Sequence, residues 1–235
     1  ANTTADENTA VGYLALNDNT TGALNTAVGA YCLDVNTTGG SNVAVGANAL
    51  GANTTASNNT ALGTRALQEN TTGAQQTAVG MNALKDNTTG GNNTAVGYQA
   101  MTDNTTGGLN AAIGREALFK NTEGNQNTAC GTYALYENLT GIENTAVGYV
   151  ALEKNTASYN TAVGSRALDL NTTGSSNVAL GYQSLTSNTT ASNNTALGYG
   201  AIAANTTGAQ NTAVGSGALD ANTTAHNNTA IGYLS

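Results

Sequence analysis

Proline and tryptophan are absent from this chain, and histidine occurs only once. A single histidine, His226, cannot build a histidine-based metal cluster, and no Ser-His-Asp triad can be assembled around it. Only 9% of the residues are charged and the formal net charge is −8, so nothing in the chain could neutralise a run of nucleic-acid phosphates. The sequence also lacks a run of about 18 apolar residues, which excludes a membrane-spanning helix. Low charge and missing proline further distinguish it from a disordered chain.

What the chain does contain is one repeat written many times. A segment of the type N-T-A-V-G begins at residues 8, 25, 42, 59, 76, 93, 110, 127, 144, 160, 177, 194, 211 and 228. Every step is 17 residues except the step from 144 to 160, where one residue is missing from the turn at 155–159. The consensus N-T-A-V-G-Y-x-A-L-x-x-N-T-T-G-x-x defines columns 1 to 17 of the repeat.

The periodicity predicts the fold class. Two short extended segments, columns 2–6 and 7–9, are separated by turn residues, and no 3.6-residue apolar stripe is present. We therefore predict an all-β chain: a parallel β-solenoid of about 14 coils over residues 1–235, forming a single domain without capping repeats. Asparagine at columns 1 and 12 is expected to occupy corners and to tolerate left-handed backbone. Glycine at column 15, for example Gly22, is expected to allow positive φ.

Two columns carry the large apolar side chains and predict the core. Columns 4 and 9 supply the core residues Val11, Leu16, Val28, Leu33, Val45, Leu50, Leu62, Leu67, Val79 and Leu84. Column 3 is alanine and column 5 is glycine in every copy. These small residues point to the strand face opposite column 4, where they permit close approach of another backbone. The pattern therefore predicts lateral self-association, with a trimer as the expected form.

Column 12 is asparagine in every coil and predicts an asparagine ladder along the coil stack. Its members include Asn19, Asn36, Asn53, Asn70, Asn87 and Asn104. The same column generates N-x-[ST] sequons, so Asn19, Asn36, Asn87, Asn104, Asn171 and Asn205 are candidate glycosylation sites. The alternative is that Asn-Thr turn chemistry produces sequons as a by-product. Four further sequons begin at column 17: Asn58, Asn92, Asn193 and Asn227.

Three other residue groups need an interpretation. Carboxylates at columns 10 and 11 predict a solvated acidic ridge; they are Asp18, Asp34, Glu69, Asp86, Asp103, Glu137, Glu153, Asp169 and Asp220. Cys32 and Cys130 fit small buried hydrophobes, and their separation of six coils excludes an intrachain disulfide. Tyrosine recurs at column 6 and either covers the coil's edge or stacks on sugars if exposed.

The N-[ST]-A-[VIL]-G core with a following strand of small residues resembles the head repeats of YadA-like trimeric autotransporter adhesins. Similar repeats occur in phage tail-fibre-like proteins. The resemblance extends from Asn8 to the end of the chain. It implies a left-handed parallel β-roll with three chains side by side, displayed outside the cell. The repeat of this chain is longer than the usual head repeat by its extra N-T-T-G turn.

These observations predict a structural protein of an extracellular fibre or filament, located outside the cell, on its surface or on a virion. The expected partner is the chain itself, side by side and, from the register at its two ends, end to end. Neither catalytic residues nor a metal or cofactor site are predicted, and the chain is expected not to be an enzyme. The alternative is an adhesin head or phage tail-fibre segment that binds a cell-surface receptor or glycan. A third hypothesis is ice binding by arrayed threonines.

Overall fold

Each repeat contributes one three-residue strand at columns 2 to 4. The computed structural model describes residues 4–235. The chain divides into two compact units, with the boundary between Glu123 and Gly124. The first unit holds β1 (Thr9–Val11), β2 (Thr26–Val28), β3 (Val43–Val45), β4 (Thr60–Leu62), β5 (Thr77–Val79), β6 (Thr94–Val96) and β7 (Ala111–Ile113). The second holds β8 (Thr128–Cys130), β9 (Thr145–Val147), β10 (Thr161–Val163), β11 (Val178–Leu180), β12 (Thr195–Leu197), β13 (Thr212–Val214) and β14 (Thr229–Ile231).

Strands pair in sequence order within each unit, and all of these pairs are parallel. The register sets every column against itself, as in Ala10 opposite Ala27 and Ala162 opposite Ala179. Repeats of equal length produce this register because each coil returns the chain to the same place one strand spacing further on. The predicted all-β parallel solenoid with a 17-residue repeat is therefore confirmed. One domain over residues 1–235 stays a prediction.

The single 16-residue coil keeps the register of its neighbours. Thr145 pairs with Thr161, so the shorter coil still closes one strand spacing further on. The missing residue lies in the turn after Asn155, whose Nδ2 donates to the carbonyl of Ala157, two residues on. In the longer coils the same bond spans three residues, as from Asn171 to Gly174. A turn absorbs the deletion because its contacts can shift by one residue without moving a strand.

The interior of each coil is narrower than the sequence suggests. The alanines of columns 3 and 8 and the leucine, methionine or isoleucine of column 9 are buried, from Ala27, Ala49 and Leu50 to Ala201 and Ile202. The predicted core residues at column 9, Leu16, Leu33, Leu50, Leu67 and Leu84, lie in this interior. It is filled by one large side chain and two alanines per coil, so no larger residue fits at column 3.

Column 4 does not belong to the core, which corrects half of the predicted core set. Val11 and Leu62 are exposed, and Val28, Val45 and Val79 are half-exposed. Alternation along a strand sends column 3 to one face and columns 2 and 4 to the other. Since alanine of column 3 is inside, the valines of column 4 must point outward. The prediction that column 3 faces a neighbouring chain is wrong for the same reason.

Columns 7 to 9 do not form the predicted second extended segment. Column 7 and column 9 residues adopt left-handed φ values, as in Tyr31 (56°) and Leu33 (50°), and the structure has turns there. This conformation costs about 1–2 kcal/mol for an L-residue. It is offset because each such residue aims its N–H along the stack: Tyr31 donates to Tyr13 and Leu33 to Ala49, at 2.9 and 3.1 Å.

Left-handed residues also occupy column 17, rather than columns 1 and 12 where asparagine predicted them. The column 15 glycines, including Gly22, do not have the expected positive φ. Their small size is needed instead because the carbonyl of the next coil approaches closely. Gly22 would direct a Cβ into the carbonyl of Gly39 and to 2.6 Å from Asn19 Oδ1.

Asparagines of column 12 form a buried ladder in each unit, at the positions that the sequence predicts. Asn36 Nδ2 donates to Asn19 Oδ1 at 2.8 Å and to the Gly39 carbonyl of its own coil at 2.9 Å. The same pattern repeats at Asn53, Asn70, Asn87, Asn104, Asn171, Asn188 and Asn205. Each side chain thus fixes its own turn and binds the preceding coil.

Column 1 forms a second ladder through the backbone. Asn42 N donates to Asn25 Oδ1 at 3.0 Å, and Asn25 Nδ2 crosses the coil to the Gly39 carbonyl at 2.9 Å. The two asparagines of one coil, Asn25 and Asn36, therefore converge on one carbonyl. Buried amides with this many partners specify register, because a shifted coil would leave several of them unpaired.

Candidate functional site

The outward side chains of columns 2 and 4 form a surface that we call the strand face. Column 4 is apolar in every coil and is exposed at, among others, Val11 (58%), Leu62 and Ile113 (47% each). Column 2 is threonine except at Val43, Ala111 and Val178. No residue of either column carries a charge. Each unit therefore presents an uncharged, half-apolar sheet surface to solvent.

A contiguous row of apolar side chains on the surface calls for an explanation. Isolated exposed apolar residues are ordinary, but a contiguous apolar patch of more than a few hundred Å² marks an interaction site. In each unit the parallel register stacks seven column 4 side chains in one row. In the first unit Val11, Leu62 and Ile113 are exposed and the other four are half-exposed, so the row forms a contiguous strip of apolar surface. The strand face is thus the leading candidate site.

Residue size at columns 3 and 4 carries a signal for this face that hydrophobicity alone does not give. Column 3 is invariably alanine, which indicates a position where nothing larger fits. Column 4 varies among Val, Leu, Ile and Cys, which indicates a position where several sizes are tolerated. Tight interior sites restrict volume, whereas exposed sites do not. Variation in size among copies of the repeat would have assigned the two faces correctly.

The two cysteines occupy different environments. Cys32 is buried at column 8, where its Sγ donates to the carbonyl of Ala44, and burial raises its pKa to about 11. Cys130 is half-exposed on the strand face. The prediction that both are buried holds for Cys32 only, because Cys130 occupies the outward column 4.

The acidic ridge of columns 10 and 11 is partly buried rather than fully solvated. Burial raises the pKa of Asp34, Asp103 and Asp169 above the ordinary value. At Asp103 the charge of Asp86 raises the pKa further, against the opposing effect of Lys85 and Lys120. An open depression on the ridge is lined by Asp34, Val35, Asn48, Gly51, Ala52, Gln68 and Glu69. Among residues 4–235 no three His, Cys, Asp or Glu side chains converge as metal ligands would.

Acidification is expected to stabilise the fold through these three carboxyls. Their pKa values are higher in the folded chain than in the unfolded chain, so the folded chain holds more protons as the pH falls from the raised values to 3.8. Their unfavourable contribution is fully present above the folded pKa and is lost below 3.8. Asp103→Asn should therefore raise the melting temperature at neutral pH and weaken its pH dependence. Asp220→Asn, at an exposed ridge position, is the control; equal effects of the two variants would contradict the prediction.

The six predicted column 12 glycosylation sites are inaccessible in the fold. Asn19, Asn36, Asn87, Asn104, Asn171 and Asn205 are fully buried. Their Nδ2 atoms, to which a glycan would be attached, donate the ladder hydrogen bonds. The column 17 asparagines Asn58, Asn92, Asn193 and Asn227 are exposed instead. These six sequons of column 12 thus follow from ladder chemistry, whereas the four of column 17 present an amide to solvent.

Column 6 tyrosines are exposed, which answers the question that the sequence left open. Tyr98 (42%) is the least and Tyr233 (77%) the most exposed of them. Tyr182 and Tyr199, on consecutive coils, stack with ring centroids 5.6 Å apart and planes 18° from parallel. Tyr98 instead lies under the Arg115 guanidinium at 5.9 Å. Column 6 therefore forms an exposed strip, the aromatic strip, in which six tyrosines alternate with smaller or charged residues and one pair of rings, Tyr182 and Tyr199, stacks along the coils.

The single histidine, His226, lies in an exposed turn. Its Nδ1 accepts a hydrogen bond from the Ala209 amide at 2.9 Å, so it joins the turns of two consecutive coils. Within residues 4–235 no helix has the length and apolar character needed to cross a bilayer.

A scan against protein-family models and searches of curated proteins and of solved structures found no match. The strand face, the ladders and the aromatic strip must therefore be interpreted from their own chemistry.

Proposed function

We propose that this chain is a structural protein of an extracellular fibre or filament, assembled by lateral association of its strand faces. The observation that carries the proposal is the uncharged, apolar row of column 4, which is exposed or half-exposed in every coil of the solenoid. Burying that row stabilises an assembly by about 25 cal/mol for each Å² of apolar surface removed from water. A second copy of the chain is the partner whose surface has the same repeat spacing and therefore matches the row coil by coil.

The charge distribution supports association through this face and opposes association through others. The net charge of −8 is carried by columns outside the strand face, chiefly by the acidic ridge. Two copies that meet through columns 2 and 4 bring no like charges into contact. Contacts through the ridge would do so, and like-charge repulsion there favours solubility. The expected product is an ordered lateral oligomer, with a trimer as the expected number of chains.

Sedimentation of paired variants tests the proposal. Val79→Asp together with Val96→Asp places two carboxylates on the strand face and should convert the oligomer into a monomer at micromolar concentration. Thr72→Asp together with Thr89→Asp adds the same charge at exposed column 14 and should leave the oligomer intact. Oxidative cross-linking of Cys130 gives a second readout, because lateral copies in register bring these half-exposed thiols together. A monomeric wild-type chain would refute lateral association.

Ice binding is a second candidate, because the structure places threonine and small apolar residues together on one exposed sheet face. Thr77 and Val79 share this face, as do their equivalents in most coils. The resulting array repeats about every 4.8 Å along the stack and every 6.6 Å along the strand. Its threonines are not those of columns 13 and 14. Thermal hysteresis by a chain that sediments as a monomer would favour this function over fibre assembly, since a face covered by another copy cannot meet ice.

A further inference from the structure

The aromatic strip of the second unit is interrupted at two places by serine. Along column 6 the residues read Tyr149, Ser165, Tyr182, Tyr199, Ser216 and Tyr233 on consecutive coils. The strand registers β9–β10–β11 and β12–β13–β14 place each serine directly between two tyrosines of the same column. We call the spaces above Ser165 and Ser216 the serine gaps.

The neighbouring tyrosine pair shows how rings are oriented in this column. Tyr182 and Tyr199 are 18° from parallel with ring centroids 5.6 Å apart, so their faces are turned toward each other along the coil stack. Two tyrosines that flank a serine have their backbone positions two strand spacings apart, about 9.6 Å. With rings oriented as in the Tyr182–Tyr199 pair, a flat ring placed midway would be about 4.8 Å from both, within the range of favourable ring stacking. At this spacing each serine gap has the width of one ring.

Polar groups border each gap. Ser165 and Ser216 are half-exposed, so each gap has a hydroxyl at its floor. Arg166 follows Ser165 and is exposed, so its guanidinium is available to a ligand in the first gap. Beside the second gap, Gly200 has open space where a side chain would lie, whereas Gly217, which follows Ser216, lies close to the Leu234 side chain. A ring with polar edges can therefore meet a hydroxyl in both gaps and a guanidinium in the first.

We propose that the serine gaps bind pyranose rings of the gluco configuration, as found in β-linked glucose or N-acetylglucosamine. A ring held between two tyrosines must present an apolar face on both sides. In the gluco configuration all ring substituents are equatorial, so both faces carry only axial C–H groups. The manno and galacto configurations each place one axial hydroxyl against a tyrosine, where it has no hydrogen-bond partner. The gaps therefore select among sugars as well as bind them.

Calorimetric titration of the full-length chain with cellohexaose and with mannohexaose tests this proposal. Cellohexaose should bind and mannohexaose should bind at least about fivefold more weakly. Ser165→Tyr together with Ser216→Tyr fills both gaps while it adds two aromatic rings, so it should abolish binding. The native Tyr182–Tyr199 stack shows that the fold accepts tyrosines on consecutive coils. Ser187→Tyr adds an aromatic ring at half-exposed column 11 and should leave binding unchanged.

Opening the gaps gives an independent test. Tyr182→Ala together with Tyr199→Ala removes one wall from each gap and should weaken cellohexaose binding at least about fivefold. No binding of cellohexaose by the wild type, equal binding of mannohexaose, or retained binding after Ser165→Tyr with Ser216→Tyr would each overturn the proposal. The gaps lie outside columns 2 and 4, so this test can fail without affecting the test of lateral association.

Discussion

Asn70→Ala is expected to lower the free energy of unfolding by about 3–6 kcal/mol, although it removes only one small polar side chain. Asn70 Nδ2 donates to Asn53 Oδ1 at 3.1 Å and to the Gly73 carbonyl at 2.9 Å. Its Oδ1 accepts from Asn87 at 2.9 Å and from Gln76 Nε2 at 3.0 Å. Truncation therefore breaks four hydrogen bonds in the interior of the first unit.

The cost arises from the groups left behind rather than from the bonds themselves. After truncation Asn53 Oδ1 and Gln76 Nε2 lose the only side-chain partner that each has at that atom, and both residues are buried. An unpaired buried polar group costs about 1–3 kcal/mol, and the vacated volume adds to this. Water that entered the site would reduce the cost without restoring the contact between coils.

Urea denaturation and amide hydrogen exchange measure this effect. Exchange is the sharper measurement, because coils of a repeat protein can open locally and need not unfold in two states. Amides of the coils next to Asn70 should lose protection first. Thr72→Ala changes an exposed position of the same turn. It should alter the free energy of unfolding, and the free energy of local opening from exchange, by no more than about 0.5 kcal/mol. Similar effects of the two substitutions would show that the ladder is not a main source of stability.

The ladder was predictable from the sequence, whereas the orientation of the strand was not. Asparagine at one column of every coil has a single economical explanation, since stacked amides pair with each other. Alternation, by contrast, shows that Ala61 and Leu62 lie on opposite faces but not which face is inside. Hydrophobicity alone predicts Leu62 in the core. Ala61 is buried instead, because the space inside the coil accepts only a small side chain there. In a solenoid this thin, size outweighs hydrophobicity.

The turns at columns 7 to 9 were not predictable from residue preferences. Leu67 and Val150 adopt left-handed backbone (52° and 50°) that neither residue type favours. Nothing local predicts this conformation. It arises because every amide around the coil must find a partner in an adjacent coil, and left-handed residues aim N–H groups in that direction. Tertiary hydrogen bonding therefore overrides local propensity at columns 7 and 9, as it does at column 17.

The candidate sites, too, were only partly predictable from the sequence. Threonine and valine at columns 2 and 4 were visible in the sequence, but the strand face follows only from the corrected orientation. Column 6 tyrosines were visible too, and their spacing around Ser165 and Ser216 becomes informative only once the register is known. The sequence shows which residue types a repeat surface contains, and the register of the coils shows which of them are neighbours.

Gly63→Ala is expected to destabilise the chain by about 3–6 kcal/mol, since strain and a steric clash act together. Gly63 has φ of +137°, a region that L-residues with a Cβ rarely adopt. An added Cβ would lie 2.6 Å from the carbonyl oxygen of Gly80, which belongs to the next coil's backbone and cannot rotate away. Relief would require coils four and five to separate, which breaks the hydrogen bond from Gly80 N to Leu62 O at 2.8 Å.

Gly51→Ala is the matched control because it introduces the same methyl group into the neighbouring coil without strain or clash. A Cβ on Gly51 would have no neighbour closer than 3.5 Å, which is an ordinary van der Waals contact. The φ of Gly51 also lies outside the left-handed region. Gly51→Ala should therefore change the free energy of unfolding by no more than about 1 kcal/mol. Thermal unfolding of both variants measures the difference, and equal losses would contradict the prediction for Gly63.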